Sequence, residues 1–125
     1  MSDNNFLLES VQKVDALQVA VVDMVHNGIT GDPSDAMEEY YHMLYALMQQ
    51  QGMLYTRLQL LQDPQYASIQ LMIHAFCCKM GMNPSQPVME FHFQVKRDCI
   101  KGICEITGED PDELELQVDV DLDEY

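Results

Sequence analysis

Positive charge is scarce in this sequence: six lysines and arginines stand against 21 aspartates and glutamates. No base occurs between Lys13 and Arg57, and none follows Lys101. A surface this negative repels phosphate backbones, which argues against direct binding of DNA or RNA. Long apolar runs are also missing, since no stretch approaches the roughly 20 apolar residues that a membrane helix needs. The opening residues, Met1 to Asn5, are polar and lack the basic region and apolar core of a secretory signal. The expectation is a cytoplasmic protein with no membrane contact.

The motifs of common chemistries are missing as well. There is no glycine-rich phosphate loop, no Gly-x-Ser-x-Gly and no paired Cys-x-x-Cys. Acidic residues cluster at Glu38 and Glu39 and again from Asp119 to Glu124, and these read as a helix N-terminus and a solvated face. Glu39 and His42 match one Glu-x-x-His element, whereas a carboxylate-bridged di-iron bundle needs two, together with two further glutamates. Neither an enzyme nor a resident cofactor is expected.

What the chain does hold is apolar material and helical rhythm. Hydrophobic residues make up 47% of 125 positions, enough for one domain with its own core. Leu7, Val11, Val14, Leu17, Val21, Met24 and Val25 recur at spacings of three and four, predicting a first helix over residues 6–26. The turn formers of residues 27–34 follow. Ser34 or Asp35 can cap a second helix, in which Met37, Leu44, Gln51 and Leu58 fall seven apart. Tyr40, Leu47, Leu54 and Leu61 form a second such series, and Tyr41, Met48 and Tyr55 widen the stripe. Residues 35–61 would span roughly 40 Å, the length of a spine or of half a dimer seam.

Asp63 and Pro64 restart the chain as N-cap and first helical residue, and Gly81 closes the third helix. Residues 88–106 fit two patterns. Met89, Phe91, Phe93 and Val95 alternate with polar neighbours as in a strand, yet Cys99-Ile100 and Ile103-Cys104 break that alternation. On a helix, Glu90, Gln94, Arg97, Asp98, Lys101 and Glu105 share one arc, opposite Val88, Phe91, Val95, Cys99, Ile103 and Ile106. Helix is the reading preferred, with Gly102 as its weak point.

Charge is uneven along the chain. Residues 105–125 carry ten acids and no base. There Leu114, Leu116, Val118, Val120 and Leu122 alternate with polar residues that include Asp119, Asp121 and Asp123. Such a segment is either an acidic tail or an amphipathic strand that pairs within the chain or with a partner. The fold expected is therefore an all-α, four-helix bundle-like domain over residues 1–108 with an acidic extended segment over 109–125. The alternative is an α+β fold with a C-terminal β-hairpin or meander drawn from residues 88–122.

Four cysteines in a chain without an export signal read as reduced thiols. His74, Cys77 and Cys78 lie within one helical turn and are the residues best placed to begin a metal site. Cys99 and Cys104 diverge by about 140° on a helix, and cysteine is commonly buried, so core packing is expected and no metal. Ten methionines suit an adaptable binding face, although most are expected in the core. Gln51, polar on the apolar seam, resembles the residues that set register in helical assemblies.

The function expected is protein–protein binding without catalysis, as an adaptor, regulator or assembly factor, with a homodimer as one form. The contacts expected are Gln51, Tyr55 and the 114–123 segment. The alternative is an inhibitor whose carboxylates mimic nucleic acid and block the basic groove of another protein.

Overall fold

The computed structural model describes residues 2–27, 33–62 and 64–111. They form helices α1 (Ser2–Asn27), α2 (Pro33–Leu61), α3 (Ala67–Lys79) and α4 (Val88–Thr107), with a single 3₁₀ turn at Pro64–Tyr66 before α3. Among the described residues there is no strand, and the chain is an all-α bundle. Residues 112–125, including Leu114 to Asp123, lie outside the described set.

The long helix α2 is the spine, packing against α1, α3 and α4. Both of its seven-residue series turn inward: Leu44, Gln51 and Leu58 are buried, as are Leu47 and Leu54. Leu61 at the helix end stays about half exposed. In α1 the inward stripe is Leu7, Val14 and Val21, again seven apart, flanked by half-buried Val11 and Leu17. Side chains repeating every seven residues keep a nearly constant azimuth on a helix of 3.6 residues per turn, so each series packs as one line.

The termini differ in part from expectation. α2 begins at Pro33, so Ser34 and Asp35 sit inside its first turn, where the Asp35 carboxylate suits the positive end of the helix dipole. Pro64 opens the 3₁₀ turn and Tyr66 is the N-cap of α3, making no side-chain cap bond. Asp63 lies outside the described residues. At the other end Gly81 does close α3: it takes φ +110°, and the Met82 N–H donates to the Cys77 carbonyl at 3.0 Å.

α4 resolves the ambiguous stretch as helix and removes the hairpin beginning at residue 88. Val88, Phe91, Cys99 and Ile103 are buried, with His92 and Ile100 beside them. Glu90, Gln94, Arg97, Asp98, Lys101 and Glu105 are all exposed. Gly102, expected to weaken the helix, marks instead a close approach, since a Cβ there would lie 2.6 Å from the Tyr41 ring.

Candidate functional site

The heptad pattern of α2 carries Gln51 into the middle of the core, where the side chain is 0% exposed. Expected at a partner contact, it bonds instead within this chain. The Gln51 Nε2 amide donates to Gln18 Oε1 on α1 at 3.0 Å. Its Oε1 accepts from His92 Nε2 on α4 at 2.7 Å and from the Cys77 thiol on α3 at 3.3 Å. A carbonyl oxygen has two lone pairs, so one amide joins all four helices.

His92 is 4% exposed. Burial, with Lys96 adding repulsion, lowers its pKa from 6.5 to about 4, so the ring is neutral at neutral pH. Because an amide oxygen only accepts, the single ring proton is assigned to Nε2. Nδ1 is then an acceptor, and it has no hydrogen-bond partner among the described residues. It faces Gly52, where a Cβ would come within 3.2 Å.

The Cys77 thiol lies 3.6 Å from His92 Nε2, the spacing of a nucleophile and its base. Its ionisation runs the other way. Burial, and then Cys78, push the Cys77 thiol up to about 12. A thiol near 12 beside an imidazole near 4 stays protonated at neutral pH, and no thiolate–imidazolium pair forms.

The residues named for a metal do not converge. Cys77 turns inward to Gln51, while Cys78 Sγ lies 3.7 Å from His74 Nδ1. His74 Nε2 in turn lies 3.1 Å from the Pro84 carbonyl, tying α3 to the loop before α4. Among the described residues no three histidines, cysteines or carboxylates form a cluster that could hold an ion. Cys99 is buried, and Cys104 is half-buried.

Beside the buried network lies an open groove of about 500 Å³ between α2 and α4. His92 and Gly52 line it, so the network holds up its floor. Its walls include Met53, Leu60, Met89 and Phe93, exposed to 54%, 80%, 58% and 60%. Arg57 and Lys96 line it too. Tyr55, expected at a contact, is half-buried against the core.

The methionines divide between core and surface. Met48 and Met82 are buried and Met43 and Met80 pack partly against the core, whereas Met53, Met72 and Met89 are exposed. Sequence reasoning overlooked the groove, although one signal was present. Met53 and Leu60, and likewise Met89 and Phe93, sit at helical spacing but off the stripes that fill the core. No helix among the described residues is long and apolar enough to cross a membrane. Comparison with protein families, curated proteins and solved structures finds no match.

Proposed function

We propose that this chain is a binding module that docks an apolar segment of another protein in the α2–α4 groove and performs no chemistry on it. The observation that carries this reading is the gathering of Met53, Leu60, Met89 and Phe93, each more than half exposed, around one concavity. Scattered exposed apolar side chains need no explanation, but a contiguous set lining a groove marks an interaction surface. Methionine side chains adapt to different partner shapes, and two of these four are methionine. The protonated Cys77 and neutral His92 favour binding over catalysis.

The test is affinity capture with the full chain and with Leu60→Glu and Phe93→Glu. Both residues are exposed, so the fold should tolerate either change. Each should lower affinity for the captured partner roughly tenfold or more, the loss typical of an interface anchor. A control at exposed Leu71 on α3 should leave capture intact. Binding that ignores the groove variants would overturn the reading. Binding that collapses with rising salt would favour the nucleic-acid-mimic alternative, seven of whose carboxylates fall in residues 112–125, outside the described residues.

A further inference from the structure

One buried side-chain nitrogen has no hydrogen-bond partner among the described residues, and it belongs to a residue that lines the groove. It is Nδ1 of His92. The ring's other nitrogen is committed, since His92 Nε2 donates to the Gln51 oxygen at 2.7 Å. That oxygen also takes the Cys77 thiol, and the Gln51 amide donates to Gln18. A buried acceptor left unpaired costs as much as a lost hydrogen bond. It marks a place for a donor that the described helices do not supply.

The approach to Nδ1 runs past Gly52. A glycine inside a long helix weakens it, and here any other residue would place a Cβ 3.2 Å from Nδ1 and cover it with carbon. Gly52 and His92 both line the α2–α4 groove, beside Met53, Met89 and Phe93. Nδ1 lies just under the groove floor. Methionine side chains, unbranched and with three rotatable bonds, move aside for a ligand at little cost. The groove, at about 500 Å³, is of the size that takes an aromatic group.

We propose that the partner's anchor in this groove is a tryptophan side chain, its ring among Met53, Met89 and Phe93 and its N–H donating to His92 Nδ1. The inference rests on reading the α2–α4 groove as a docking surface, and it names the chemistry that surface recognises. The walls call for an aromatic body, because methionine sulfur and the Phe93 ring both pack well against one. The floor calls for a donor. An indole N–H donates and accepts nothing, so it matches a lone acceptor and brings no lone pairs to be served. Tryptophan is also the side chain most often found as an interface anchor. The 125 residues contain no tryptophan, so a second copy of them cannot supply it.

The experiment titrates the full chain with indole and with benzofuran, which has the same shape but an oxygen in place of the N–H. Nitrogen-15 NMR of the histidine rings follows the binding. Indole should bind roughly tenfold more tightly, the difference expected when a buried acceptor gains its donor. It should shift the His92 Nδ1 resonance and leave those of His26, His42 and His74 in place. Equal affinities, an unmoved Nδ1 resonance, or binding by neither probe would overturn the proposal. Gly52→Ala, which covers Nδ1 and suits a helix, should bring the two affinities together, as should His92→Phe. A tenfold preference surviving in Gly52→Ala would overturn the assignment to Nδ1, whether or not His92→Phe folds. N-acetyltryptophanamide should bind at least as tightly as indole, and much weaker binding would place a free small molecule in the groove instead of a side chain. Phenol binding more tightly than indole would make tyrosine the anchor and overturn the choice of tryptophan. Equal binding of indole and benzofuran, lost in Phe93→Glu, would end this inference and leave the docking surface. An indole preference that holds while capture ignores Leu60→Glu would remove the partner reading and leave the indole site standing.

Discussion

At the scale of single residues, the buried polar network governs how this protein responds to acid. The fold holds His92 neutral, lowering its pKa from 6.5 to about 4 by burial and by repulsion from Lys96. The unfolded chain therefore takes up the proton first, and folding is favoured most above pH 6.5. As pH falls from 6.5 toward about 4, that contribution is lost, by about 3 kcal/mol over the interval. Denaturant unfolding across this window should show native stability dropping more steeply than that of His92→Gln. Parallel curves would mean that the ring is not held neutral by the fold. The sequence marked Gln51 as a polar residue on an apolar seam, and that much was legible. Its partners were not, because Gln18, Cys77 and His92 come from three other helices whose relative rotation no local pattern encodes.

At the scale of elements, the point where α2 and α4 approach closely sets the bundle geometry. Gly102 on α4 meets the Tyr41 ring of α2, with 2.6 Å left for a Cβ. Alanine is the better helix former by about 1 kcal/mol, so two effects oppose one another in Gly102→Ala. Overpacking of this kind costs about 1–3 kcal/mol, and the net result should be destabilising. With Tyr41→Ala in place the clash disappears, and the same Gly102→Ala change should stabilise the protein. Thermal denaturation of the four chains in this cycle tests the reversal of sign. A stabilising Gly102→Ala in the otherwise unchanged chain would show that the ring yields freely. From sequence alone Gly102 reads as a defect in a helix, since propensity is local and the reason for the glycine lies across the interface. The same limit hid the groove. Met89 and Phe93 form a second stripe beside the one that fills the core, and sequence cannot say which stripe a neighbouring helix covers.

At the scale of the whole molecule, a net charge of −15 acts against compactness. Screening reaches across about 10 Å at 0.1 M salt and about 30 Å at 0.01 M, so added sodium chloride should relieve repulsion between the acidic faces. The stability gain should be roughly 1 kcal/mol, or a few degrees in Tm. A Tm unchanged over that range would mean that the acids are already compensated in the fold. What the sequence by itself determined is the set of helices, the central place of α2 and the sign of the surface. Apolar spacing, helix-stopping glycines and charge counts are local properties that survive any arrangement in space. The tertiary structure decided that one amide joins four helices, that the thiol beside His92 stays protonated, and that four exposed apolar side chains share a groove with the scarce bases. Each of these depends on the distance and dielectric between residues far apart in the chain, which only packing sets.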